Sequence, residues 1–281
     1  MPRPSAAFSR PVRAPSGLGR GTGTDILGTV RTALDSGDVM LAYQPVVDTA
    51  TGRAAFHEGL IRIVDRRGQI LPAGLFMDMV ERLTLGRDID CAALRCGLDT
   101  LARHPDLRLS VNLSVLTIGH GPWMDTLEEG IARNQTVAER LIVEITEGAA
   151  MRSPIRVRNF MEDLQDRGIS FAMDDFGAGQ TSLRHLRDLP FDILKIDGGF
   201  VSGCDTDPGN RVILRALVDI ARQFDMLTVA EAVETEGESR FLASIGIDCW
   251  QGYHHGRPET MPSWAIPAGD RGAWPASRAA G

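Results

Sequence analysis

Five carboxylic acids stand at or near the carboxyl ends of short apolar runs that are typical of buried strands. They are Glu58, Glu144, Asp174, Asp175 and Glu231. Charged side chains in such runs are costly unless they meet a partner. In a barrel of parallel strands all these ends open into one mouth, where the acids would repel one another and take raised pKa values. Because Mg²⁺ and Mn²⁺ prefer oxygen ligands, the pattern predicts a Mg²⁺ or Mn²⁺ site.

Three further polar residues, Asn112, Lys195 and Gln251, occupy the equivalent positions on other apolar runs. A salt bridge at a strand end would explain any one of these acids. It does not explain all five, because only Lys195 and Arg62 are available there as fixed cations. No histidine stands at these positions, which disfavours zinc. More than four ligands indicates two ions, and a two-metal site suits in-line attack of water on a phosphodiester. The alternative, glycoside hydrolysis, needs only two acids and leaves Lys195 and Asn112 unexplained.

Lys195 is expected to position water rather than to take its proton. Within an acidic cluster the pKa of a lysine rises, so its amine is a poor proton acceptor. We therefore assign water positioning and charge stabilisation to Lys195, with metal-activated water as the nucleophile.

Strand and helix patterns alternate between these residues. Apolar or alternating runs predict eight strands, and amphipathic stretches between them predict helices. Eight strands alternating with helices in one domain indicate an α/β fold with a parallel sheet, closed or open. The predicted strands cover 40–47, 54–63, 107–111, 140–145, 169–173, 191–196, 227–233 and 248–252. The predicted buried faces of two helices are Val157, Phe160, Met161 and Leu164 in one and Ile213, Leu217, Ile220 and Phe224 in the other.

Composition sets the remaining bounds. The chain has 281 residues, 43% hydrophobic and 24% charged, which is ordinary for a globular protein. No apolar run approaches the roughly 18 residues of a membrane span, and a net charge of −7 argues against binding DNA or RNA polymers. Four cysteines without metal-binding spacing predict reduced thiols in a cytoplasmic protein. A basic arm over 1–24 and a tail over 267–281 are predicted to be disordered, which leaves a folded body over 25–266.

Eight short motifs occur in order along this body. They are Tyr43-Gln44-Pro45, Glu58-Gly59-Leu60, Val111-Asn112-Leu113-Ser114, Glu144-Ile145-Thr146-Glu147, Asp174-Asp175-Phe176-Gly177, Leu194-Lys195-Ile196-Asp197, Val229-Ala230-Glu231-Ala232-Val233-Glu234-Thr235 and Gln251-Gly252-Tyr253. Together they resemble the EAL-domain phosphodiesterases of bacterial cyclic di-guanylate signalling. The resemblance implies a TIM-type (β/α)₈ barrel with an antiparallel first strand. It also implies hydrolysis of cyclic di-GMP to linear pGpG.

The resemblance further implies roles for individual residues. Glu58, Asn112, Glu144 and Asp174 would hold one ion, and Asp174, Asp175 and Glu231 a second. Asp174, Lys195 and Glu231 would form the catalytic group around the attacking water. Gln44 would contact a guanine edge, Arg62 a phosphate, and Gln251 would support the metal site and the bound substrate. Glu147 and Glu234 would brace the loop after the Asp pair.

Departures from the family pattern keep other functions open. Gly59 replaces the signature alanine but leaves Glu58 in place. Ala178 and Gln180 replace Thr and Tyr in the loop after Asp174-Asp175, which removes contacts that link this loop to metal binding and dimerisation. A non-catalytic cyclic di-GMP receptor or protein-binding module is therefore one alternative. An unrelated barrel metallohydrolase acting on another phosphodiester is a second.

The sequence also bears on how the protein is controlled and on which other side chains line the site. We recognise no sensor or membrane anchor, so control is expected through expression, a homodimer or a separate regulatory protein. The side chain that stacks on guanine stays open between Phe176 and Tyr253, although a buried core position is the simpler interpretation of both. His254 and His255 follow Gln251 closely, but neighbouring side chains of a strand face opposite ways, so we expect a place at the rim rather than a metal site.

Overall fold

The computed structural model describes residues 23–178 and 183–265. Within these ranges the chain forms nine strands and ten α-helices. The strands are β1 (Val39–Asp48), β2 (Ala54–Val64), β3 (Ile70–Pro72), β4 (Leu109–Asn112), β5 (Leu141–Thr146), β6 (Ser170–Phe176), β7 (Ile193–Ile196), β8 (Leu227–Ala230) and β9 (Cys249–Trp250). The helices are α1 (Gly23–Ser36), α2 (Met77–Val80), α3 (Thr84–Arg103), α4 (Gly121–Arg133), α5 (Glu147–Arg152), α6 (Pro154–Gln165), α7 (Leu183–Asp188), α8 (Gly198–Val201), α9 (Pro208–Gln223) and α10 (Glu236–Ile245). Short 3₁₀ helices cover Ala73–Leu75, Gln135–Arg140 and Ser263–Ala265.

Eight of the described strands close into a barrel. Strands β2 and β4 to β9 pair in parallel, each with the next in that order. Strand β1 completes the ring, because it pairs antiparallel with both β2 and β9. Strand β3 pairs only with β2 among the described strands and lies outside the ring. The TIM-type barrel and its antiparallel first strand are therefore confirmed.

The strand predictions agree with the structure in number and differ from it at the ends. All eight predicted strands are present, whereas β3 was not predicted because three residues with a proline carry no readable period. Strand β8 stops at Ala230, since Ala232 takes a left-handed φ of 52° and turns the chain out of the sheet. The predicted arm and tail lie outside the described residues, apart from Gly23 and Thr24, which begin α1.

Helix α6 follows its predicted pattern. Pro154 occupies the first turn, where its missing N–H costs no hydrogen bond. The predicted face is buried, and it consists of Val157, Phe160, Met161 and Leu164. In the described ranges, α6 and the other helices all fall short of the length and apolarity that crossing a bilayer requires.

The predicted buried face of α9 was wrong, because the observed face is rotated around the helix axis relative to it. Its buried residues are Leu214, Leu217, Val218 and Ala221. Ile213 and Phe224, both placed on the buried stripe, are each 39% exposed. Apolar residues on both sides of this helix give two competing stripes, and only packing against the barrel selects between them.

A compact apolar layer fills the barrel below its mouth. It consists of Val46, Phe56, Ile142, Ala172, Ile193, Val229 and Cys249, at most one from each strand. A larger cluster packs between the barrel and the surrounding helices. Side chains two positions apart on a strand face the same way. The residues two positions along from this layer therefore also point into the barrel, nearer the mouth.

Candidate active site

The layer above this apolar floor is polar and largely buried. Six of its side chains are at most 9% exposed: Gln44, Glu58, Glu144, Asp174, Lys195 and Gln251. Each stands two positions from a residue of the floor on the same strand, or just beyond that strand's end. Glu231 occupies the corresponding position after β8, and Asn112 ends β4. The residues predicted from separate strands to share one mouth are thus brought together.

Lys195 lies at the centre of four carboxylates. Its Nζ is 2.6 Å from Glu144 Oε2, 2.7 Å from Asp174 Oδ1, 2.8 Å from Glu231 Oε1 and 3.5 Å from Glu58 Oε2. Burial lowers the pKa of this amine, but the surrounding carboxylates outweigh burial and hold the pKa well above its usual value. The amine is therefore charged, as its predicted role requires.

Two of the carboxylates around Lys195, Glu144 and Glu231, have raised pKa values. Burial, assisted by the charge of Glu58, raises the pKa of Glu144 to about 8, although Lys195 opposes the rise. Burial also raises the pKa of Glu231 well above its usual value, again against Lys195. One ammonium does not neutralise four carboxylates, so the cluster needs either protons or further cations.

Asp174 and Asp175 both reach the mouth because the strand is interrupted between them. Neighbouring residues of a regular strand point to opposite faces. Here the pairing of β6 with β7 shifts register between Met173 and Phe176, and Asp175 has a left-handed φ of 55°. Oxygen atoms of Asp174, Asp175 and Glu231 consequently lie within 4.8 Å of one another. Burial, followed by the charge of Asp174, raises the pKa of Asp175 to about 6.

Amide side chains fix the orientation of Glu58. Asn112 Nδ2 donates to Glu58 Oε1 at 2.9 Å, and Gln251 Nε2 donates to Glu58 Oε2 at 2.6 Å. Since the nitrogen of Asn112 is used in this way, its carbonyl oxygen is the atom available to a cation. Gln251 Nε2 also lies 3.2 Å from Gln44 Oε1, and Gln44 Nε2 donates to Gly256 O at 3.2 Å. Gln44 is therefore held by protein groups on both ends of its amide.

These side chains fit a hard divalent cation. Every candidate ligand is a carboxylate or an amide oxygen, the donor type that Mg²⁺ and Mn²⁺ select. The second oxygen of Glu144, Oε1, is buried, and no hydrogen-bond donor among the described residues reaches it. A buried carboxylate oxygen without a donor is costly. The donor set and this oxygen both suit a cation at the mouth, and neither selects between magnesium and manganese.

The loop after the Asp pair is tied to the start of α5, which follows the neighbouring strand β5. Glu147 Oε2 accepts a hydrogen bond from Gly177 N at 3.1 Å. Gly177 has a φ of 101°, and a Cβ there would lie 2.1 Å from the ring of Phe200, so only glycine fits. This hydrogen bond is consistent with the predicted bracing of the loop by Glu147. The bracing role itself stays a prediction. Ala178 is the last described residue before the gap, and Gln180 lies outside the described residues.

Glu234 is placed differently from Glu147. Its side chain is exposed, and its backbone N–H donates to Glu238 Oε2 at 2.9 Å. Glu238 also accepts from Thr235 N at 2.9 Å and from Gly203 N at 2.8 Å. The loop after Glu231 is thus held by Glu238, which the sequence motifs did not single out. The bracing role of Glu234 stays a prediction.

Residues at the rim differ in how freely they can meet a ligand. Arg62 is half-buried, and its Nη1 donates to Leu60 O at 3.4 Å and Ile61 O at 3.0 Å. Tyr253 is 47% exposed, so its predicted core position was wrong, and the Arg257 guanidinium lies 4.0 Å from the centre of its ring. Phe176, at 2% exposed, does belong to the core.

His255 is not part of the polar layer. It stacks on Trp250 with ring centres 4.5 Å apart, and its Nε2 lies 2.9 Å from Ser239 Oγ. His254 is exposed, in agreement with the expected place at the rim. All four cysteines are free.

One acid near the site stood in a quoted motif but was given no predicted role. Asp197 directly follows β7, and its charge contributes to the raised pKa of Asp175. Its side chain also caps α8 by accepting from Gly199 N at 2.9 Å. Its position, two residues after Lys195 at a strand end, was the available signal.

The fold and the site together define a (β/α)₈ barrel with an acidic, lysine-centred mouth. The family profile described as EAL domain matches residues 28–258 of the chain. The chain therefore belongs to the EAL domain family.

Curated relatives agree with this assignment. The chain is 33% identical over 245 residues to the bifunctional diguanylate cyclase/cyclic di-GMP phosphodiesterase MucR of Pseudomonas aeruginosa, covering 85% of this chain and 35% of MucR. It is 32% identical over 240 residues to the cyclic di-GMP phosphodiesterase PdeB of Shewanella oneidensis, covering 84% of this chain and 28% of PdeB. The chain thus spans about a third of the length of these relatives.

Solved structures are also similar. The phosphodiesterase PaMucR in complex with c-di-GMP has a TM-score of 0.73 at 32% identity, covering 84% of this chain and 97% of that one. An EAL domain protein from Listeria monocytogenes EGD-e has a TM-score of 0.75 at 27% identity, covering 87% and 96%.

Proposed function

We propose that this protein hydrolyses cyclic di-GMP to linear pGpG in the cytoplasm, with divalent cations, Mg²⁺ or Mn²⁺, held at the mouth of the barrel. The observation that carries the proposal is the gathering of Glu58, Glu144, Asp174 and Glu231 around one buried lysine. Further support comes from relatives that are named as cyclic di-GMP phosphodiesterases.

The cation ligands divide into two sets that share Asp174. Glu58, Asn112, Glu144 and Asp174 would hold one ion. Asp174, Asp175 and Glu231, whose oxygens lie within 4.8 Å of one another, would hold the second. When bound, divalent cations make water a better nucleophile near neutral pH and offset the charge that develops on phosphate oxygens.

The other steps of the reaction are assigned to side chains of the mouth. Lys195 stays protonated among its carboxylates, so it orients the attacking water and stabilises negative charge rather than accepting a proton. Asp174, Lys195 and Glu231 form the catalytic group, in which the acids set the position of Lys195. Gln251 holds Glu58 and Gln44 in place through its amide nitrogen.

Substrate contacts are assigned to Gln44 and Arg62. Gln44 would meet a guanine edge by exchanging its bond to Gly256 O for one to the base. The planar guanidinium of Arg62 suits two oxygens of a phosphate. Its Nη1 contacts backbone carbonyls of its own strand, which fix the direction of the guanidinium. Gln251, in the polar layer of the mouth, completes this set.

The test is the chromatography of products after the protein is incubated with cyclic di-GMP, with Mg²⁺ and with excess chelator. We expect pGpG with Mg²⁺ and none with chelator. Asp174→Asn should remove nearly all turnover, while Glu162→Gln, an exposed acid on α6, should turn over as the wild type does. Cleavage that persists in chelator, or full turnover by Asp174→Asn, would contradict the proposal.

A second candidate is a cyclic di-GMP receptor without turnover. The observation that favours it is Ala178, which stands in the loop after the Asp pair in place of the family's threonine. Binding of cyclic di-GMP without any pGpG, in the presence of Mg²⁺, would select the receptor.

A homodimer and a separate regulatory protein remain part of the proposal. Sedimentation of the protein with and without cyclic di-GMP tests whether the homodimer forms.

A further inference from the structure

The segment over 256–265, here called the return segment, runs back along the edge of β1. Strand β9 pairs with β1 only at Val47 and Asp48 among the described residues. Further along β1, Tyr43 N donates to Glu259 O at 2.8 Å, and Glu259 N donates to Tyr43 O at 3.1 Å. The return segment therefore supplies backbone partners that the short last strand does not.

The return segment ends in an aromatic contact on the outside of the barrel. The ring of Trp264 meets Tyr43, His57 and His104 edge to face, with ring centres 5.0, 5.3 and 5.1 Å apart. These partners come from three elements, since Tyr43 lies on β1, His57 on β2 and His104 at the end of α3. One indole thus joins the first two strands of the barrel to the helix that covers them.

Trp264 also makes a directional bond to one of these partners. Its Nε1 donates to His57 Nε2 at 3.1 Å. Because an indole nitrogen only donates, His57 Nε2 carries no proton, and the neutral ring has its proton on Nδ1. That Nδ1 is buried and has no hydrogen-bond partner among the described residues. The bond from Trp264 therefore fixes the orientation of the His57 ring.

His57 and Tyr43 are the outward neighbours of two residues of the mouth. Gln44 and Glu58 are opposite each other in the β1–β2 register, and both point inward. Because side chains alternate along a strand, the adjacent Tyr43 and His57 point outward. A shift of this strand pair that moves Tyr43 and His57 must also move Gln44 and Glu58.

We propose that Trp264 is a positioning residue that fixes Glu58 and Gln44 at the mouth from the outer side of the barrel. The proposal rests on the proposed function in one respect, that Glu58 is a cation ligand. Trp264 lies beyond residues 28–258, which the family profile matches. The contact is therefore assigned to this chain from its own geometry.

The experiment compares Trp264→Phe with the wild type and with Met261→Ala. The phenylalanine keeps an aromatic ring but removes the N–H that bonds His57. Met261, 50% exposed in the same segment, provides the matched control. Two quantities are measured on the substrate-free protein: the Mn²⁺ dissociation constant by calorimetry, and backbone hydrogen exchange over 39–48 and 54–64. A residue that only stabilises the fold would not weaken Mn²⁺ binding unless the variant also lowered the stability of the whole barrel.

We expect Trp264→Phe to weaken Mn²⁺ binding about tenfold, as the loss of outer support of a ligand does. Exchange should be faster over 39–48 and 54–64 and unchanged over 141–146 and 170–176, with Met261→Ala like the wild type. Unchanged Mn²⁺ affinity would overturn the proposal, and so would faster exchange throughout the barrel. If the wild type neither binds Mn²⁺ nor cleaves cyclic di-GMP, the proposed function fails. The exchange result alone then decides whether Trp264 positions the strand pair.

Discussion

Lys195 Nζ lies 2.6 Å from Glu144 Oε2, and both side chains are at most 1% exposed. Lys195 is also the sole lysine among the 281 residues, in which arginine supplies every other fixed side-chain cation. A compact ammonium can turn its three donors toward carboxylates on several sides, whereas a guanidinium holds its five donors in one plane. The residue type therefore matches the geometry of the mouth.

The first prediction concerns Lys195→Met, which keeps most of the length of the side chain and removes its charge. Without cations, we expect the free energy of unfolding to fall by about 3 kcal/mol, because buried carboxylates lose their partner. With Mg²⁺, kcat should fall roughly 10²-fold while KM changes little. Denaturant titrations and steady-state kinetics measure these effects. A raised KM with unchanged kcat would make Lys195 a binding residue instead.

The sole lysine permits a direct measurement of the same group. Protein labelled only at lysine gives one side-chain ammonium resonance in an NMR spectrum, that of Lys195. We expect this resonance to stay that of a charged amine to at least the usual pKa of about 10.4. Deprotonation near neutral pH would contradict the assignment of Lys195 as a charged, water-positioning group.

The second prediction concerns cation selectivity. Ligands that bind only the folded state stabilise it, by about 2.7 kcal/mol at a concentration of 100 Kd. Mg²⁺ and Mn²⁺ should therefore raise the melting temperature of the wild type, and Asp174→Asn should lose most of the shift. Ca²⁺ should also stabilise the protein but support little turnover, because its larger and more flexible shell positions water poorly. Equal rates with Ca²⁺ and Mg²⁺ would refute the selectivity.

The third prediction concerns Asp90, a buried acid of α3. Its Oδ2 accepts from Ser114 N at 3.0 Å and from Thr117 Oγ1 at 2.6 Å, just beyond β4. Burial raises the pKa of Asp90 from 3.8 to about 7, although these two hydrogen bonds oppose the rise. The folded state therefore holds this proton more tightly than the unfolded state. Its contribution to stability is complete below about pH 4 and is lost as the pH rises to about 7.

Asp90→Asn should remove that pH dependence. At about 1.4 kcal/mol per pKa unit, the loss in the wild type amounts to about 4 kcal/mol across this window. Asp88→Asn, on an exposed position of the same helix, should keep the wild-type slope. Free energies of unfolding from urea titrations at pH 4, 5.5 and 7 test the difference. Identical slopes for all three proteins would show that Asp90 is not the titrating group.

The fourth prediction restores the alanine that Gly59 replaces. A Cβ at this position would lie 3.0 Å from Leu41 Cδ1 and 3.2 Å from Ser110 O. The Leu41 methyl can rotate away, whereas the backbone oxygen cannot, so Gly59→Ala should lower the free energy of unfolding by about 1 kcal/mol. Glu58 keeps its partners, and we expect unchanged kcat. A large loss of Mg²⁺ affinity in this variant would mean that the strand must shift to admit the methyl group.

Sequence periodicity predicted eight strands alternating with helices, and the motif resemblance was needed to predict that they close into a barrel. Strand ends put Glu144, Asp174 and Lys195 at corresponding positions, and inward-facing residues at these ends of a barrel share one mouth. Periodicity failed on α9, where apolar residues on both sides gave two possible stripes. It also could not show that Gln44 is held at both ends of its amide, since Gln251 and Gly256 are more than 200 residues away.

Two features had no signal in the strand and helix periodicity. The left-handed φ of Asp175 turns two adjacent acids to the same side, and a regular strand would have predicted opposite sides. Trp264 meets His57 across 207 residues, from a segment whose sequence has no strand or helix period. Contacts of this kind depend on tertiary closure, which local patterns do not encode.

The pairing of the first strand with the end of the chain has a consequence for how the protein reaches its native state. Gln44 and Gln251 are separated by 207 positions, so the ring closes through contacts of high sequence separation, and such contacts form slowly. An emerging chain has synthesised most of its strands before Glu58 can meet Gln251. The mouth is therefore complete only when β9 has docked, and a ligand that needs Gln251 there can bind only the closed barrel.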